Sequence, residues 1–70
     1  VLSSLQAFGR NIHRIRAEVG LTQEQLAEKV DISRRFLQEL ETGEKAPALT
    51  TLARLRKALG CDYNNLLRGL

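Results

Sequence analysis

Arg34, Arg35, Gln38 and Glu39 are the residues whose types and spacing best suit recognition chemistry. A helix fits the major groove of duplex DNA, where every base pair displays its own pattern of donors and acceptors. An arginine can take guanine O6 and N7 with two parallel hydrogen bonds, a glutamine can reach adenine or a phosphate, and a carboxylate can accept from cytosine N4. Gln38 follows Arg34, and Glu39 follows Arg35, at the i, i+4 spacing that makes side chains neighbours on a helix. Glu39 therefore has two readings, a base contact or an ion pair that holds Arg35, and the ion pair is preferred. The competing interpretation of the whole set is an ordinary charged helix surface, and the flanking residues decide between them.

Those flanking residues run from Leu21 to Gly43. Thr22 and Gln25 form the reciprocal Thr-x-x-Gln arrangement, in which a hydroxyl caps one backbone amide and the glutamine side chain reaches back to another. A helix opened there runs to about Val30. Asp31, Ile32 and Ser33 interrupt it, Ser33 caps a second helix from Arg34 to about Thr42, and Gly43 supplies a backbone free to take positive φ. Leu26, Ala27, Val30, Ile32, Leu37 and Leu40 fall on the inner side of the pair. Ala27 is small where a steeply crossing helix brings its backbone close. Gln23, Lys29, Arg34, Arg35, Gln38 and Glu39 are left for solvent or a partner.

The run from Leu21 to Gly43 resembles the helix-turn-helix of the lambda Cro and phage repressor family of bacterial DNA-binding proteins, with Gln23, Ala27, Ser33, Leu37, Leu40, Glu41 and Gly43 at the family's positions. The resemblance extends from about Phe8 to about Leu67. One departure is Asp31, where the family usually has Gly; aspartate tolerates the left-handed region at a cost below about 1 kcal/mol relative to Gly. The resemblance implies an all-α, compact five-helix lambda-repressor-like domain with its helix-turn-helix at helices two and three. It implies sequence-specific binding of double-stranded operator DNA in the major groove by a transcriptional regulator, a repressor, with Arg34, Arg35, Gln38 and Glu39 reading bases from the third helix. Gln23 stands where similar repressors touch the DNA backbone, and the free amides at a helix start suit a phosphate. Lys45 lies in the loop that skirts the DNA in similar proteins, and Ser33 and, if the first helix ends nearby, Arg10 are further candidates for phosphate. Phe36 packs on sugar atoms or a thymine methyl or roofs the core, the roof being the preferred reading. The resemblance also pairs Arg16, late in the first helix, with Glu41 as a structural ion pair that fixes the first helix against the third.

The rest of the chain fits one small domain spanning residues 1–70. Ser3 and Ser4 are candidate caps for a first helix whose apolar stripe is Leu5, Phe8, Ile12, Ile15 and Val19, ended by Gly20. Arg10, His13, Arg14 and Glu18 lie off that stripe as solvated surface, and Arg16 borders it. Glu44 to Ala48, with Pro47, reads as a loop. The fourth helix runs from Leu49 to Leu59 with Leu49, Leu52, Leu55, Ala58 and Leu59 inward. Ala48 leaves it poorly capped, or starting later at Thr50. Gly60 ends it, and Asp62 caps a last short helix carrying Tyr63, Leu66 and Leu67, with Leu70 just beyond. Helices this short are marginal alone, so their stripes must close on one another.

The net charge of +3 favours a polyanionic partner only weakly. A single cysteine, Cys61, forms no internal disulfide and reads as a buried, inert thiol. No His/Cys spacing suits a metal, no cofactor is implied, and no apolar run or basic leader indicates a membrane or secretion, which leaves a cytoplasmic protein. An opening Val1 in place of Met is expected of a trimmed or excised chain. His13 has no Cys, Ser or Asp set with it at a recognisable spacing, so an enzyme is not expected. The short apolar last helix suggests a homodimer joined through Tyr63, Leu66, Leu67 or Leu70. The rival from another class is a protein-interaction module, because Ser33 to Leu37 resembles antitoxins that bind both operator DNA and a toxin.

Overall fold

Four of the five helices open on a side chain that the sequence supplies for the purpose. A computed structural model describes residues 2–70, Val1 lying outside them, and contains α1 (Ser4–Val19), α2 (Gln23–Val30), α3 (Arg34–Thr42), α4 (Leu49–Leu59) and α5 (Tyr63–Leu66). Ser3 is the cap of α1: its hydroxyl accepts from the Gln6 amide at 3.1 Å, and Gln6 Oε1 accepts from the Ser3 amide at 3.0 Å. Thr22 and Gln25 make the same reciprocal pair at 3.1 and 2.9 Å. Ser33 caps α3 through the Phe36 amide, and Asp62 caps α5 through the Asn65 amide. These bonds satisfy amides that a helix start otherwise leaves open.

Ala48 is the exception. It occupies the cap position of α4 without any side-chain bond, and the helix nonetheless starts at Leu49 and not at Thr50. Leu49, expected to point inward, is 84% exposed. As the first residue of an uncapped helix it lies beyond the bundle, and the buried positions of α4 are Thr51, Leu55 and Leu59, with Leu52 and Ala58 partly buried. Leu5 and Val19, at the two ends of the α1 stripe, are likewise exposed because α1 is longer than the elements packed on it.

The turn between α2 and α3 is made by Asp31 in the left-handed region, φ 59° and ψ 47°. Its amide reaches the Ala27 and Glu28 carbonyls, and the Ile32 amide donates to Ala27 O at 3.0 Å. Asp31 therefore makes a left-handed turn that glycine would make more easily, with the orphan carbonyls of α2 satisfied.

Phe8, Ile12 and Ile15 of α1, Leu26, Ala27 and Val30 of α2, Leu37 and Leu40 of α3, Leu55 and Leu59 of α4 and Leu66 of α5 form one core. The helix α3 packs against α1, α2 against α3 and α4, and α5 against α1. Leu37 is fully buried, and truncating it to Ala would cost about 2 to 5 kcal/mol.

Two residues of α1 set how its neighbours meet it. Gly9 is buried, and a β-carbon there would clash with the Leu40 and Glu41 carbonyls, so α1 and α3 approach backbone to backbone. Asn11 is 7% exposed and its Nδ2 donates to the carbonyls of Leu66 at 2.9 Å and Arg68 at 2.8 Å. It thereby closes the end of α5, a helix too short to satisfy its own last carbonyls.

A candidate nucleic-acid interface on the second helix of a helix-turn-helix

The Ser33 cap fixes where α3 begins, and burial of Leu37 and Leu40 fixes which way it faces. Arg34, Arg35 and Gln38 are consequently exposed on its outer side, and Glu39 is partly buried at the edge. Arg34 Nη1 donates to Glu24 Oε1 of α2 at 3.0 Å. Gln38 Nε2 donates to Gln23 Oε1 at 3.3 Å. Arg35 has no hydrogen-bond or ion-pair partner among the described residues and lines an open cleft between α1 and α3 together with Arg10, His13 and Gln38.

Glu39 does not pair with Arg35. Its Oε2 lies 3.5 Å from Lys45 Nζ. The reason is the path of the chain after Gly43: the Glu44 and Lys45 amides both donate to the Glu39 carbonyl, which folds the loop back along α3 and brings the ammonium to the carboxylate.

Behind this surface lies a second layer. Arg16 donates from Nε to Glu41 Oε2 at 2.8 Å and from Nη2 to Glu41 Oε1 at 3.2 Å. Arg16 Nη1 donates to the Leu21 carbonyl at 2.9 Å, so the same guanidinium also holds the start of the motif. Gln23 Nε2 donates to Glu41 Oε1 at 3.2 Å, linking Gln38, Gln23, Glu41 and Arg16 in one hydrogen-bonded chain from the surface to α1. His13 Nδ1 sits 3.2 Å from Glu41 Oε1 and 3.1 Å from Arg16 Nη2, so this histidine borders the cluster and is not merely solvated. Burial pushes the Glu41 carboxyl up, but hydrogen bonds from Arg16, His13 and Gln23 and the Arg16 charge outweigh it and hold the pKa below the usual glutamate range.

The remaining expected contacts occupy varied surroundings. Ser33 Oγ is engaged as the α3 cap at 3.0 Å, which leaves its own O–H to donate. Phe36 is half-buried and packs against the core, which makes it a roof. Arg10 and Lys45 are exposed. Tyr63 and Leu70 are 43% and 56% exposed and Leu67 is half-buried. Leu66 is fully buried in its own chain's core, which removes it from the expected dimer surface: the first turn of α5 presses this side chain onto α1. The Arg56 guanidinium lies 5.2 Å from the centre of the Tyr63 ring, a cation–π distance. Cys61 is only half-buried, and burial pushes its thiol pKa up. Among the described residues no group of His, Cys, Asp or Glu has the arrangement to hold a metal ion, and no helix is long and apolar enough to cross a membrane.

Glu24, His13 and Asn11 are the residues that sequence reasoning missed here. Only Glu24 carried a local signal, an acid in the first turn of a helix, and that signal points to the helix dipole and not to Arg34.

Two capped helices joined by a tight left-handed turn, with the second presenting polar side chains outward from a small bundle, define a helix-turn-helix domain. A family model described as helix-turn-helix matches residues 12–66, and the chain belongs to that family. Among its relatives, an uncharacterized HTH-type transcriptional regulator of Sinorhizobium fredii is 39% identical over 59 residues, 84% of this chain and 77% of the relative. The immunity repressor protein of Bacillus phage phi105 is 46% identical over 59 residues, 84% of this chain but 41% of that protein. Two crystal structures of the clp gene regulator ClgR from Corynebacterium glutamicum each have a TM-score of 0.90 at 33% identity, over 94% of this chain and 85% and 70% of theirs. The likeness to phage repressors and the all-helical, five-helix architecture thus agree with both the family and the solved fold.

Proposed function

We propose that this chain is a transcriptional regulator that binds double-stranded DNA sequence-specifically, as a homodimer, with α3 in the major groove. The observation that carries the reading is the placement of Arg34, Arg35 and Gln38 side by side on the exposed face of α3, a helix joined to α1 by the Arg16–Glu41 hydrogen bonds. Likeness to proteins named as regulators, and to a phage immunity repressor, supports regulation of transcription and favours repression.

Arg35 and Arg10 have no ion-pair partner among the described residues, while Arg34 and Lys45 each face a carboxylate. Arg34, Arg35 and Gln38 read base edges, and Glu39, its carboxylate facing Lys45, borders them. Gln23, Ser33, Lys45 and Arg10 hold the backbone on either side, with Phe36 roofing the core behind them. The cleft beside α3 is mixed in charge, Arg10, Arg14 and Arg35 being set against Glu39, Glu41 and Glu44. DNA reading is favoured over a protein partner such as a toxin by the likeness to regulators and by the exposed Arg34, Arg35 and Gln38 of α3, and not by the charge of the cleft. One recognition helix touches few base pairs, so a two-fold dimer with α3 helices about 34 to 36 Å apart would read two half-sites.

Binding measured against salt tests this. Neutralising about three to five phosphates per subunit gives a slope of roughly −3 to −4 per subunit in log K against log salt. An affinity that stays flat between about 50 and 300 mM salt would contradict DNA binding by this face.

A further inference from the structure

Glu24 contributes nothing to the core, yet it meets the first residue of the recognition helix. It lies in the first turn of α2, and its Oε1 accepts from Arg34 Nη1 at 3.0 Å. Both side chains are open to solvent, Arg34 at 56% and Glu24 at 72%. The bond leaves the remaining N–H donors of the guanidinium free, among them a pair that can meet guanine O6 and N7.

A carboxylate on a DNA-facing surface repels phosphates whatever the sequence, so Glu24 lowers affinity for every duplex alike. What it adds is orientation. A free arginine must surrender several rotors on meeting a base, and a side chain already held in place surrenders fewer. The same construction recurs one residue earlier: Gln23 Oε1 accepts from Gln38 Nε2 at 3.3 Å, so the first turn of α2 supports two reading side chains one helical turn apart on α3. Arg35, between them, has no such support among the described residues.

We propose that Glu24 is a positioning residue for base reading: it holds Arg34 in the orientation that meets one base pair, raising sequence preference there while lowering affinity for DNA in general. The inference rests on the DNA-reading role proposed above.

Selection from random duplexes and binding titrations with the wild type, Glu24→Ala, Glu24→Gln, Arg34→Ala and Glu24→Ala/Arg34→Ala test it. Glu24→Ala should bind random duplex about two- to fivefold more tightly and lose about two- to fivefold of the discrimination at the base pair that Arg34→Ala relaxes, the scale of an exposed ion pair. Glu24→Gln, which keeps an acceptor but not the charge, should tighten general binding equally while retaining more of the preference. In the Arg34→Ala background, Glu24→Ala should leave preference unchanged and still tighten general binding. A merely structural role would move the melting temperature and leave the preference alone. Unchanged preference in Glu24→Ala overturns the proposal, and so does sharper preference, which would make Glu24 a mask over Arg34. A wild type that enriches a site to which Arg34→Ala is indifferent overturns the Glu24 role alone. A wild type that enriches nothing overturns the DNA-reading role and this inference with it.

Discussion

Arg16 and Glu41 meet through two parallel hydrogen bonds, 2.8 and 3.2 Å, with side chains only 12% and 6% exposed. The pair joins α1 to the last turn of α3, and Gln23 and the Leu21 carbonyl are attached to the same two groups. Removing one partner leaves the other poorly solvated and uncompensated. Arg16→Ala and Glu41→Ala should each lower stability by about 1 to 4 kcal/mol, and the double variant by less than their sum. Denaturant titrations of the four proteins measure this; additive losses near zero would mean the pair contributes no coupling.

The same carboxylate makes stability depend on acid. Glu41 has a lower pKa in the folded chain than the usual glutamate value, so its contribution is fully present above the unfolded-state value. It is lost as pH falls through the depressed folded value. Unfolding free energy measured from pH 7 down to about 2 should therefore fall less in Glu41→Gln than in the wild type. Parallel curves would contradict the assignment.

Gly9 looks in sequence like a weak point in α1, because Gly in a helix interior is normally worse than Ala by about 0.8 to 1 kcal/mol. The close approach to the Leu40 and Glu41 carbonyls reverses that expectation. Gly9→Ala should destabilise by about 1 to 3 kcal/mol, since backbone must move to admit the methyl group. A raised melting temperature in Gly9→Ala would show that α1 and α3 are not in this contact.

Much of this fold was legible because its punctuation is local. Thr22, Ser33 and Asp62 announce helix starts, Gly20, Gly43 and Gly60 announce ends, and each bonds within a few residues of itself. Periodicity alone cannot say how far along a stripe the core extends, which is why Leu5, Val19 and Leu49 look internal in the sequence and are exposed in the fold. Asn11 was illegible for another reason: its acceptors are 55 and 57 residues away. The local i, i+4 rule assigned Glu39 to Arg35, and a loop returning from Gly43 gave it Lys45 instead. Nothing in the spacing of Arg16 and Glu41 joins them; family resemblance alone suggested that pair.

The proposed dimer places Tyr63, Leu67 and Leu70 in the contact, now without Leu66. Leu70→Asp sets a charge into that apolar surface and should raise the dimer dissociation constant at least about tenfold, with little change in monomer stability because Leu70 is exposed. Analytical ultracentrifugation with and without a duplex reads both states. A 1:1 complex of full affinity at high dilution would contradict the dimer.

The division of labour on α3 is the central claim, and selection from random duplexes tests it most directly. The wild type should enrich a site with two related half-sites about one helical turn apart. Arg34→Ala or Arg35→Ala should relax that site at one base pair per half-site, with losses of about 1 to 3 kcal/mol against the preferred duplex and much smaller losses against random DNA. Lys45→Ala should keep the same preferred site, weaken all duplexes by similar factors and reduce the salt slope by about one per subunit. An unenriched pool with the wild type, or the same loss of enrichment in the arginine variants and in Lys45→Ala, would contradict the account.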